Sequence, residues 1–183
     1  HTLLGDRRAS LLLTGHSGGP GDERSAMARV RWMSPRLGAE LTGGLGALGA
    51  LVTPDGRVPN SGYREDDYAA RLQARLGGST LDLERTRHAA RDIQLPAFSN
   101  SAGSHAEYPI QSRGATRLEW TVPGTKRRPD FRLLGVEQHF RTGFVETVAD
   151  SQFLRGRHVA TTTSRADDRI DTWSNSLQPT FQL

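Results

Sequence analysis

Residues 26–41 read Ala26-Met-Ala-Arg-Val-Arg-Trp-Met-Ser-Pro-Arg-Leu-Gly-Ala-Glu-Leu41. Ala26, Ala28, Val30 and Trp32 alternate with Met27, Arg29, Arg31 and Met33, and Leu37, Ala39 and Leu41 resume the rhythm against Gly38 and Glu40. In an extended chain every second side chain points to the same face, so this period predicts two strands, each apolar on one side. Ser34-Pro35-Arg36 between them is a tight break.

The same pattern extends outward. Downstream, Thr116, Leu118, Trp120 and Val122 alternate with Arg117, Glu119 and Thr121. A turn at 123–129 leads into a return strand over 130–140, and Arg141-Thr142-Gly143 predicts a second turn before 144–149. A polar loop over 164–168 precedes two closing strands, 170–174 and 177–183. Upstream, the apolar run at 8–14 gives way to a Gly-rich loop at 15–23, and 54–62 and 94–114 read as further loops. Residues 65–76 admit two readings. Tyr68, Leu72 and Leu76 lie four apart, acids come first and Gly77 follows, which by propensity predicts a short helix near 65–77. The same residues also alternate as a strand that would turn at Gly77-Gly78. The expectation is one mainly-β domain over 1–183, an antiparallel barrel or sandwich of about 8–10 short strands with that one short helix.

The chain has 183 residues, 20 Gly, 9 Pro and no cysteine. Disulfides, thiolate catalysis and Cys-based zinc sites are therefore excluded. No apolar run approaches the length of a membrane-spanning helix. Formal net charge is +4, and Lys126 is the only lysine among 24 basic residues. A GC-rich genome favours arginine codons, while the planar guanidinium also suits phosphate and carboxylate partners. The arginines are interleaved with Asp and Glu rather than gathered into a basic stripe with stacking aromatics, which argues against nucleic acid as a partner. The sequence opens at His1 without a signal-peptide pattern, as a mature exported protein would.

An amphipathic strand set suits either a soluble β-rich subunit, whose charged face meets water, or a transmembrane barrel, whose charged face lines the lumen. The stretch 31–41 resembles a strand–turn–strand of bacterial outer-membrane β-barrel proteins. The alternating end, Leu177-Gln-Pro-Thr-Phe181-Gln-Leu183, resembles their C-terminal assembly signal, with Leu at the last position. The resemblance implies a non-enzymatic envelope barrel located in the outer membrane, with membrane lipid as partner. Its interior would carry Arg29, Arg31, Arg71, Arg75 and Arg117 and favour anionic solutes or polymers. The alternative is a soluble structural subunit of a virion or surface layer, partnered by its own copies or by other subunits. No cofactor is expected.

Three motifs suggest other chemistry. Gly15-His16-Ser17-Gly18-Gly19 matches Gly-x-Ser-x-Gly and resembles the serine motif of trypsin-like proteases. Ser17 would then be the nucleophile, with His88, His105, His139 or His158 as base. His1 could chelate copper through its amine and ring, as in lytic polysaccharide monooxygenases, with His105 or His139 completing the site. Asp167-Asp168-Arg169-Ile170-Asp171 matches the magnesium motif of terpene synthases, though a solvated turn explains it more simply in a β-rich chain.

Overall fold

A computed structural model describes residues 2–19, 21–50, 52–58, 61–95, 105–125, 130–149 and 161–180. The strands are β1 (Arg8–Gly18), β2 (Glu23–Met33), β3 (Leu37–Leu48), β4 (Val52–Thr53), β5 (Gly56–Arg57), β6 (Tyr63–Leu76), β7 (Ser79–Leu95), β8 (His105–Val122), β9 (Asp130–Ala149) and β10 (Thr161–Thr180). Eight of them form a single antiparallel sheet in the order β1-β2-β3-β6-β7-β8-β9-β10, so the chain is a meander in one layer and not a sandwich. β4 and β5 make a separate hairpin of two-residue strands, the second of which falls inside the 54–62 loop region. Among the described residues no ladder joins β1 to β10, and there is no helix.

Five expectations change, the first at the Gly-rich loop over 15–23, whose Gly15–Gly18 belong to β1 and pair with β2. The helix near 65–77 is strand β6, which pairs along most of its length with β3 on one side and β7 on the other. Ladders on both sides satisfy most of that segment's backbone groups, and this outweighs the helix propensity of Ala, Arg, Leu and Gln. The turn at Arg141-Thr142-Gly143 lies inside β9. The loop over 94–114 is mostly strand, since β7 reaches Leu95 and β8 begins at His105. The polar loop at 164–168 is part of β10. The signals that suggested irregularity at 109 and 143 belong to one feature. The β8–β9 register shifts between Glu107 and Ile110, and Gly143 packs beside Pro109 and Ile110 where a β-carbon would lie 3.5–3.6 Å from them. A bulge of this kind accommodates a proline in a central strand.

Directly paired residues share a face, so the ladders extend the alternation across the whole sheet. One row runs Arg31–Glu40–Arg71–Glu84–Arg117 over five strands. A row of opposite parity runs Trp32–Ala39–Leu72–Leu83–Leu118–Gly135. The polar face is the inner one. In β2, Met27, Arg29, Arg31 and Met33 are half-buried whereas Ala28, Val30 and Trp32 are exposed. In β8 and β9, Arg117, Glu119 and Arg132 are half-buried while Leu118, Trp120, Phe131 and Leu133 are exposed.

The sheet curls towards that polar face. Thr42, Ala69, Thr86, Ala115, Gln138 and Thr172 form one ladder row and all line a single cavity of about 670 Å³. On a flat sheet these six positions would spread over about 24 Å, at ~4.8 Å per strand. A common cavity requires the strands to roll around it. The result is inside out by the standard of a water-soluble protein. Among the described residues almost no apolar side chain is buried, and Leu11, Leu13, Val30, Leu41, Leu45 and Leu177 stand exposed on the convex side.

Candidate functional site: the polar concave face

The concave face is layered along the strands. Near the turns at 34–36 and 77–78 it holds a lattice of ion pairs. Arg31 pairs with Glu40. Arg71 Nε donates to Asp82 Oδ1 at 2.9 Å, and Gln73 Nε2 donates to Asp82 Oδ2 at 3.0 Å. Arg117 pairs with Glu119, which also accepts from the Arg132 guanidinium at 3.1 Å. The row Arg31, Glu40, Arg71, Glu84, Arg117 alternates in sign over successive strands, whereas Asp82 and Glu119 are like-charged ladder partners that pair instead with the diagonal Arg71 and with Arg117 two places along the same strand. Opposite charges directly across a ladder are favourable. Side-chain exposure of 18–19% at Glu119 and Asp82 makes these pairs stronger than freely solvated ones.

The N-terminal segment closes this end. Leu3, 1% exposed, donates its backbone N–H to Gln73 Oε1 at 2.8 Å, and Thr2 Oγ1 donates to the same oxygen at 3.0 Å. Gly38 makes room for it, since a β-carbon there would lie 2.1 Å from the Leu3 carbonyl oxygen. Gln73 thus joins the tucked segment to Asp82 and, through Asp82, to Arg71.

Above the lattice lies the uncharged row from Thr42 to Thr172, and above that Asp67, His88, Arg113, Phe140 and Ile170, another ladder row lining the same cavity. His88 Nδ1 sits 2.6 Å from Asp67 Oδ1. The cavity therefore has an ionic floor, a band of small and amide side chains, and an upper ring carrying a histidine and an arginine.

The structure places Arg29, Arg31, Arg71, Arg75 and Arg117 on this one face. Their roles diverge. Arg31, Arg71 and Arg117 are neutralised by the lattice. Arg75 is exposed at the turn end opposite Thr80. Arg29 stands in the Thr42 row, and its Nε is buried without a hydrogen-bond partner among the described residues. The interior is thus charge-balanced rather than simply arginine-lined. The acids Glu40, Asp82 and Glu119 are the part of the site that residue-by-residue reading missed; their signal was the parity they share with the arginines.

The other candidates lie apart. Ser17 is in β1 opposite Arg24, followed by Gly18 and Gly19 at positive φ and a return into β2. A nucleophile elbow leads from a strand into a helix, and this serine instead sits in an edge hairpin. His88 is in β7, separated from β1 by β2, β3 and β6, and His139 lies on the convex face beside Asp171. His105 opens β8 opposite Thr147. His1 and His158 lie outside the described residues. Asp167 and Asp171 are held on β10 by Arg141 and His139, so the terpene-synthase motif is strand. Among the described residues no group of three acids or histidines could hold a metal ion.

Comparison of the chain with known protein families, with curated proteins and with solved structures finds no match.

Proposed function

We propose that the chain forms the wall of an outer-membrane-type β-barrel in a cell envelope, with its convex face in lipid and a plugged polar interior that binds anionic solutes rather than passing them. The observation that carries this reading is the inverted polarity of the sheet: exposed leucines, valines and tryptophans outside, half-buried charges inside. In water such a surface would associate or aggregate, whereas against hydrocarbon it is the stable arrangement.

Two further features support it. All three tryptophans are on the convex face, Trp32 and Trp120 near the short-turn end and Trp173 where β10 turns from apolar to charged. Tryptophan favours the two borders of a bilayer. In addition, the uncharged convex run counted from the short turns ends at successively lower ladder rows over three neighbouring strands, at Ala47 in β3, at Tyr68 in β6 and at Leu83 in β7. A plane cutting strands tilted by about 35–45° crosses the ladder rows obliquely in this way. Eight strands leave β1 and β10 antiparallel at the two edges, so an ordinary antiparallel ladder between them would close the wall.

The interior reading rests on the floor. Ion pairs across successive strands and the tucked Leu3 occupy the short-turn end, while Arg29 and Arg113 on the cavity rows have no carboxylate partner among the described residues. The test is tryptophan fluorescence of the full chain refolded into vesicles whose lipid chains carry bromine. Lipid-facing tryptophans are quenched strongly. Emission unchanged by bromine, with the chain monodisperse in detergent-free buffer, refutes the barrel and leaves the soluble subunit.

A further inference from the structure

On the convex face, just beyond the apolar zone, lies a cationic depression. Its centre is Gly114, which pairs with Arg87 on one side and His139 on the other. The missing side chain opens a hollow of about 430 Å³ walled by Tyr68, Arg85, Arg87, Thr116, Arg141 and Arg169. On the β9–β10 side the cations are answered: Arg141 donates to Asp167 at 3.0 Å, and Asp171 lies 2.7 Å from His139 and accepts from Arg169 at 3.0 Å. On the β7 side Arg85 and Arg87 have no carboxylate partner among the described residues. They follow Leu81 and Leu83 on the same face of the same strand.

Given the membrane reading above, on which this inference rests, two unanswered guanidinium groups on a lipid-facing surface need a counter-charge. An arginine is costly among lipid chains at the bilayer midplane, a cost that fades towards the headgroup level. The zone where convex apolar residues give way to charged ones is that level. We propose that the Gly114 hollow is a binding site for the phosphate of an anionic outer-leaflet lipid, gripped by Arg85 and Arg87. Tyr68 and Thr116 add hydroxyl donors, and the lipid chains lie along Leu83, Leu118 and Leu72. A guanidinium fork suits a phosphate bidentately, and Gly114 lets the headgroup approach the sheet.

The test uses the full chain in neutral detergent micelles, with a bisphosphorylated glycolipid as probe and its dephosphorylated form as the comparison. Binding is followed by native mass spectrometry. Arg85→Gln and Arg87→Gln should each weaken retention of the phosphorylated lipid by about fivefold, and the double variant by about 30-fold. Arg8→Gln, equal in charge change but at the short-turn end, should leave it unaltered. Equal retention of the dephosphorylated lipid, or a double variant that binds as well as the parent, overturns the site. Displacement of the lipid by millimolar inorganic phosphate alone shows an anion site that does not need the lipid and also overturns it. The bromine-quenching measurement on the same samples separates the two levels. Quenching without phosphate dependence removes only the lipid site, whereas no quenching removes the barrel beneath it.

Discussion

Leu41→Arg separates a lipid-facing sheet from a water-facing one by a measurable free energy. Leu41 is 57% exposed and lies midway along the apolar run of β3, with Leu37 and Ala39 below it and Gly43, Leu45 and Ala47 above. Its ladder partners Val30 and Ala70 are uncharged, so an arginine there finds no counter-ion in its own row before Arg85, a like charge. In water an exposed strand position tolerates such a change within about 0.5 kcal/mol. At the centre of a bilayer the same change costs about 2–4 kcal/mol. The central position of Leu41 in the run places the expected loss near 3 kcal/mol. The assay is reversible guanidinium unfolding of the full chain in phosphatidylcholine vesicles, followed by tryptophan emission, with Thr42→Gln as the inward-facing partner variant. Thr42 lines the polar cavity, so that change should cost under about 1 kcal/mol. A Leu41→Arg loss below about 0.5 kcal/mol, or equal losses for the two variants, would show that the convex face does not meet hydrocarbon.

Three more outcomes follow from the interior. Asp82→Asn and Arg71→Gln should each destabilise by about 2 kcal/mol, between the 3–5 of a fully buried pair and the 0.2–1 of a solvated one, because Glu40 and Glu84 flank Arg71. A double-mutant cycle should return a coupling of at least about 1 kcal/mol, and a value near zero removes the lattice as a stabilising element. Gly38→Val should expel Leu3 from Gln73, seen as protease cleavage within residues 1–7 of otherwise folded protein; unchanged resistance would mean the tuck is not held there. Millimolar sulfate should stabilise the parent chain, and Arg29→Met should abolish that gain while raising the unfolding midpoint slightly by removing an unpaired buried Nε. If sulfate stabilises both proteins equally, Arg29 does not hold the anion.

The fold was legible wherever alternation was clean. Residues 26–41 and 115–122 show their two faces directly, and the arginines at 29, 31, 71, 75 and 117 share a face because parity carries across every ladder. Residues 63–76 were not legible alone: their helix-favouring composition is overridden by partners on β3 and β7 that no local window contains. Pro109 and Gly143 mimicked loop and turn signals, though they are two halves of one bulge between strands more than thirty residues apart in sequence. Neutralisation of the arginines depends on which carboxylates come within reach once the strands are in register, directly opposite for Arg31, diagonal for Arg71 and two places along the same strand for Arg117. The Gly114 hollow depends on the joint register of β7, β8 and β9. Neither has a signature in one stretch of chain.

The eight strands of the main sheet lengthen along the chain, from 11 residues in β1 to 20 in β9 and β10. At ~3.3 Å per residue the last hairpin is about 30 Å longer than the first. If all eight strands start from a common level at their short turns, the opposite rim is a ramp, low at one side and rising to a tall blade at the other. On the barrel reading proposed above, anything approaching from the long-loop side would meet that blade first.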